Sequence, residues 1–148
     1  MATSNTVTRR PAEAQKPGGD AGRLVLRLTV GILVLLHGIA KLSGPLDPIV
    51  GMLGKIGLPA ALAYGVYIGE ILAPILLIVG VWTRAAAVVV AINMVFAVLL
   101  AHRSQLFSLG GQGGYALELQ ALFLFSALAI ALLGAGRFSV GGRYGPMN

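Results

Sequence analysis

The chain has 148 residues, of which 57% are hydrophobic and 11% charged, and a mean hydropathy of +0.87, whereas soluble domains carry about a quarter of their residues as charges. This balance excludes an ordinary soluble domain and indicates an integral membrane protein. The net charge of +6 does not make a nucleic-acid binder, because the basic residues sit at the margins of apolar runs and form no stripe with interleaved aromatics. Cysteine is absent, so neither disulfides nor thiolate ligands are available.

Residues 1–23, MATSNTVTRRPAEAQKPGGDAGR, are polar and lack the apolar stretch and small-residue cleavage site of a signal peptide. They read as a disordered tail. Apolar segments follow at 24–42, 60–82, 85–101 and 115–135, each close to the roughly 17–25 residues that cross a bilayer as a helix. They predict an all-α, polytopic four-helix bundle in one domain, 24–140, followed by a C-terminal tail, 141–148. Helices are required because hydrocarbon offers no partner to free backbone groups, and the runs lack the alternation of barrel strands. Only WTR separates the second and third spans, which forces a tight antiparallel hairpin. In the first loop, Ile49, Val50, Met52, Leu53 and Ile56 with Lys55 suit a short helix lying in the interface. Arg9, Arg10, Lys16, Arg23, Arg84, Arg137 and Arg143 fall on one side, and Lys41, Lys55 and Arg103 on the other. Both termini are therefore predicted to be cytoplasmic by the positive-inside rule.

With that orientation His37 lies ~7 Å below the outer end of the first span, and Glu70 ~15 Å into the second, near mid-bilayer. Lys41 follows His37 by four residues and so shares its face, with Arg27 within about 80° of both. An ionisable group at the centre of a span costs at least about 2.5–3.5 kcal/mol and normally turns inward to a partner. Glu70 and Glu118 are the acids within the spans. Carboxylate partners are accordingly expected for His37 and Lys41, and His37, Lys41, Glu70 and Glu118 form the candidate site in the outer half. His102, Tyr67 and Arg84 are secondary candidates.

Structural readings compete with functional ones. Lys41 can snorkel to the headgroups, Glu118 can serve as a helix-start acid, and Arg84 and Arg137 can anchor the inner face. Asn93 points about 180° from Arg84 and His102 on the third span and is expected to serve a helix contact. In GVYIGEILAP, Pro74 deprives the Glu70 carbonyl of its helical donor, while Gly65 and Gly69 form a small-residue pair suited to close helix approach. LGGQGG and GAGRFS are weak as nucleotide loops, the latter lacking a preceding strand. Two histidines without a local carboxylate trio predict no metal site.

The order LRLTVGILVLLHGIAKL, LGKIGLP, GEILAPILLIVGVWTRAAA and GGYALELQALFLFSALAIALLGAGRFSV resembles the DoxX family of small four-helix bacterial membrane proteins. The likeness covers about residues 24–140 and rests on His37, Gly38, Lys41, Leu42, Gly57, Pro59, Glu70, Arg84, Ala87, Gly114, Glu118, Gly134, Gly136 and Ser139. Where the family often carries an aspartate after the final serine, Val140 and Gly141 stand here. The resemblance implies a multi-pass protein of the bacterial inner membrane, associated with thiosulfate:quinone oxidoreductases or with complexes that manage oxidative stress. It thus implies a quinone-facing or accessory subunit, with quinone as ligand and soluble or membrane redox proteins as partners. A non-enzymatic scaffold recruiting such partners is the alternative, and a small transporter or proton path ranks third. Small-residue faces permit a homo-oligomer.

Overall fold

The computed structural model describes residues 17–111 and 113–148. Five helices organise them: α1 (Pro17–Leu42), α2 (Asp47–Lys55), α3 (Ala60–Val79), α4 (Thr83–Ala101) and α5 (Glu118–Leu133). No strand occurs among the described residues; a single isolated bridge joins Leu109 and Tyr115. Three helices are long and apolar enough to cross a membrane: Gly18–Leu42, Ala60–Val79 and Thr83–Ala101. α5 is equally apolar but has 16 residues, a rise of ~24 Å. The long helices α1, α3, α4 and α5 pack in a ring, α1 against α3 and α5, and α4 against α3 and α5. α2 lies across one end.

Several boundaries move from their sequence-based positions. α1 begins at Pro17, so residues 17–23, expected in the tail, are helical and carry Asp20 and Arg23 into the fold; residues 1–16 lie outside the described part. The short helix expected in the first loop is α2, with Pro48 in its first turn, where a missing N–H costs nothing. α3 stops at Val79 because Gly80 takes the left-handed conformation, φ 78°, the usual helix-ending device. Trp82 is also left-handed, φ 48°, and completes the reversal into α4.

The core is built mainly from small and β-branched side chains, with Leu77, Met94 and Phe123 as the larger members: Val30 and Val34 on α1, Ala73 and Leu77 on α3, Ala86, Ala87, Val90, Ala91 and Met94 on α4, and Phe123, Ala127 and Ile130 on α5. With lipid outside, such helices gain little from hydrophobicity and associate through close packing. α1 meets α3 through Gly31 and Gly38. A Cβ at Gly31 would press on Ile78 and the Pro74 carbonyl, and one at Gly38 would run into the carbonyl of Glu70. Gly69 serves α4 in the same way, since a Cβ there would strike the side chain of Asn93. Gly65, paired with Gly69 in the sequence reading, has no atom within 4 Å of its notional Cβ, so half of that expected contact motif is not used.

At the end of the bundle opposite α2, the C-terminal segment closes the fold. Arg27 is 2% exposed and donates through Nη1 to the Ala135 carbonyl at 3.0 Å and through Nη2 to that of Phe138 at 2.7 Å. Asp20 accepts from Arg23 at 3.2 Å and from Arg143 at 3.3 Å. Asn148 supplies a cap from far along the chain: its Oδ1 accepts from the Thr83 N–H at 2.9 Å, and the Met147 carbonyl accepts from the Arg84 N–H at 2.8 Å. In the first turn of α4, whose preceding Trp82 offers no side-chain acceptor, the free N–H groups of Thr83 and Arg84 are thereby satisfied.

Gly38→Ala is expected to destabilise the bundle by about 1–3 kcal/mol, the usual cost of overpacking, because the group it meets is backbone. Gly65→Ala, made into open space within a helix, should be neutral or stabilising by up to about 1 kcal/mol. Thermal unfolding of the two detergent-solubilised variants checks the contrast.

Candidate functional site

Glu70 lies on an irregular stretch of α3. The helix is α-helical at Gly65–Tyr67, widens to a π turn at Ile68–Leu72, and resumes as α-helix at Ala73–Val79. Pro74 accounts for the irregularity, because it has no N–H for the i→i−4 ladder and its ring crowds the preceding turn. Single π turns of this kind recur at functional sites. Here the turn brings the Glu70 backbone carbonyl against Gly38 of α1. The side chain enters the bundle, leaving the residue 3% exposed.

Two donors converge on this carboxylate, both ending on Oε1: the Lys41 ammonium in a short ion pair, and the Asn93 Nδ2 amide at 3.2 Å. The second oxygen, Oε2, is buried and has no hydrogen-bond partner among the described residues. Lys41 reaches the site from the last turn of α1, with its side chain 37% exposed. The carboxylate partner expected for Lys41 is thus Glu70, and the competing snorkelling applies only in part: the ammonium turns inward, and the stem keeps contact with the surface.

The cluster lines a cavity of about 440 Å³. Its walls come from Ile49, Met52 and Leu53 of α2, from α3 between Leu62 and Glu70, and from α4 between Val89 and His102. On α4, Asn93 and His102 are nine residues apart, so the cavity extends ~13 Å along the helix. Lys41, Glu70, Asn93 and His102 are the charged, amide and imidazole groups in an otherwise apolar lining. Leu62, Ile92 and Phe96 line the cavity and are also about half exposed. The cavity therefore opens sideways onto the apolar surface between α3 and α4.

The other sequence candidates do not join the cluster. His37 does not find the carboxylate expected for it; its Nδ1 bonds the Leu33 carbonyl at 2.9 Å, and its ring meets the edge of Phe123 at 5.8 Å. One helical turn separates it from Lys41, but the inward stripe on α1 runs through Arg27, Val30, Val34 and Gly38 to Lys41, with His37 to one side. Glu118 is exposed and accepts from the Tyr115 N–H at 2.8 Å, fastening the loop ahead of α5. Its role is local. Tyr67 meets Tyr64 in a tilted ring pair, centroids 6.3 Å apart, outside the cavity. Arg84 bonds Asn148 at the opposite end of the bundle, 3.0 Å from its carbonyl. His102 ends α4 at the cavity rim, where Nδ1 donates to Gln105 Oε1 at 3.1 Å and Nε2 accepts from Gln120 at 3.4 Å.

Asn93 makes the helix contact expected of it, between α4 and α3, and through that contact it also joins the cluster, a role the sequence reading did not give it. A signal for it exists. Glu70 and Asn93 stand symmetrically about Val81–Trp82, eleven residues to either side, so a tight antiparallel hairpin sets them at one depth. Gly69 then leaves room for the amide. Among the described residues no group of three or more His, Asp or Glu side chains is arranged to hold a metal ion.

These features define a small helical-bundle membrane protein with a polar cluster at the base of an apolar, laterally open cavity. The DoxX family profile matches residues 22–103, the part that contains Lys41, Glu70, Asn93 and His102, and the chain belongs to the DoxX family. Among its relatives is a Bacillus subtilis protein named "Putative oxidoreductase CatD", 29% identical over 116 residues, 78% of this chain and 81% of that one. An uncharacterized protein of Haemophilus influenzae is 34% identical over 123 residues, covering 80% of this chain and 87% of its own length. An uncharacterized membrane protein of Mycobacterium tuberculosis is 37% identical over 84 residues, 55% of this chain and 52% of its own. No solved structure matches the chain.

Lys41→Met is expected to cost about 3 kcal/mol, the low end for removing one partner of a buried pair, because the lysine is partly exposed. Adding Glu70→Gln to it should recover most of that loss, since no charge is then left unanswered. A double-mutant cycle in denaturant with the detergent-solubilised protein measures the coupling.

Proposed function

We propose that the cavity binds the head group of a membrane-soluble quinone and that the protein is a quinone-facing subunit of a membrane redox assembly. The observation that carries this reading is the Lys41–Glu70–Asn93 cluster at the base of an apolar cavity that opens toward lipid. Small-molecule sites of roughly 300–1,000 Å³ are typically apolar with a few placed polar groups, and a volume of about 440 Å³ lies within that range. A ligand with a polar ring and a long apolar tail matches both ends: the ring meets Lys41 and Glu70, and the tail leaves between α3 and α4.

In this reading the redox equivalents come from a partner and the protein is a subunit, in keeping with a chain that has no cysteine to carry electrons as a thiol or cluster ligand. The oxidoreductase name of the Bacillus relative accords with the same class. Arg23, Arg84, Arg137 and Arg143 lie at the Arg27 end, and Lys41, Lys55 and Arg103 at the other. By the positive-inside rule both termini are then cytoplasmic, in a bacterial inner membrane, and the cavity belongs to the outer half.

Protein purified in mild detergent should retain quinone and bind added short-chain benzoquinone saturably, and a photoreactive analogue should label α4 between Asn93 and His102. Lys41→Met, checked for folding by circular dichroism, should weaken binding at least tenfold, as expected when a hydrogen bond to a charged group is lost. His37→Ala and Glu118→Ala should change it less than twofold. Absence of saturable binding, or labelling confined to the lipid-facing surface, removes the reading.

A further inference from the structure

The hydrogen bonds to Glu70 are unevenly placed. The two groups that reach it, Lys41 Nζ and Asn93 Nδ2, both donate to Oε1, while Oε2 is buried with no donor among the described residues. A carboxylate in an ion pair only accepts hydrogen bonds, and it offers about four lone-pair sites. Leaving such an oxygen unserved is unfavourable, and more so when it is charged. Neither Lys41 nor Asn93 directs a second N–H at Oε2. That oxygen is the unserved acceptor of the cluster.

This distinguishes the two redox forms of a quinone. The carbonyl oxygens of the oxidised form are acceptors, and against the Glu70 carboxylate they repel. The reduced form carries phenolic O–H groups, which donate. The spare N–H bonds of Lys41 serve a carbonyl and a hydroxyl oxygen alike, so discrimination falls to Glu70. Glu70 lines the cavity, and the last torsion of a glutamate is broad and twofold, so either carboxylate oxygen can be turned to a ligand.

We propose, resting on the quinone reading above, that this cavity selects the hydroquinone, with a ring hydroxyl donating to the Glu70 carboxylate and supplying the bond that the fold leaves unmade. The site then holds the reduced carrier in preference to the oxidised one.

The test uses the wild-type, full-length protein with a short-chain benzoquinone. The midpoint potential of the bound quinone is compared with that of the same compound in protein-free micelles. Selection of the reduced form raises it, by about 30 mV for each tenfold preference in this two-electron couple. In competition binding, the dimethyl ether of the hydroquinone, which keeps the ring and loses both donors, should compete at least tenfold less well than the hydroquinone. A potential that is unchanged or lowered, or an ether that competes equally, overturns the selectivity while leaving the quinone site standing. Failure of both redox forms to bind overturns the site and the selectivity together.

Discussion

A charge placed in hydrocarbon must be answered by a charge or a donor on a neighbouring helix, and the structure is organised around one such answer, the pair Lys41–Glu70. The two residues are distant in sequence, and their meeting fixes the register of α1 against α3. Hydrocarbon gives the helices no solvent-driven reason to associate, so a paired charge between helices contributes specificity that apolar packing lacks. Shifting α1 by one turn would strand the carboxylate. The pair can form only because the backbones come close enough, and Gly38 permits that by letting α1 lie against the Glu70 carbonyl.

The same requirement explains why α3 is irregular where it carries the acid. Pro74 removes one rung of the helical ladder, and the π turn at Ile68–Leu72 absorbs the defect. A regular helix would present Glu70 in a different direction. Gly69 adds the third approach by making space for Asn93. Proline, glycine and asparagine thus act together on a single carboxylate, each for a separate physical reason.

The two ends of the bundle contrast in how their polar groups are served. At the Arg27 end the C-terminal segment brings carbonyls to the buried guanidinium, and Asn148 brings a cap to α4. Little space is left there. At the Lys41 end α2 spans the bundle without filling it, and a cavity remains beside the charged pair. Arg27 and Glu70 are both buried ionisable groups, but the first is enclosed by backbone carbonyls and the second borders a cavity.

Much of this was legible before any coordinates. The apolar runs, their lengths and the short WTR connection established a helical bundle with an α3–α4 hairpin, because hydrocarbon admits few other backbone solutions. The choice of Lys41 as a residue paired with a carboxylate followed from the cost of burying charge. The tertiary structure decided which residues share a site. His37 and Lys41 are neighbours on a helix surface, yet a small angular offset sends one to Phe123 and the other to Glu70. Glu118 turned to its own loop, and Asn93 turned to the acid. Spacing along a helix constrains direction only to within tens of degrees, while a hydrogen bond needs tenths of an ångström; that gap is closed only by how glycines, a proline and neighbouring helices set the backbones against one another.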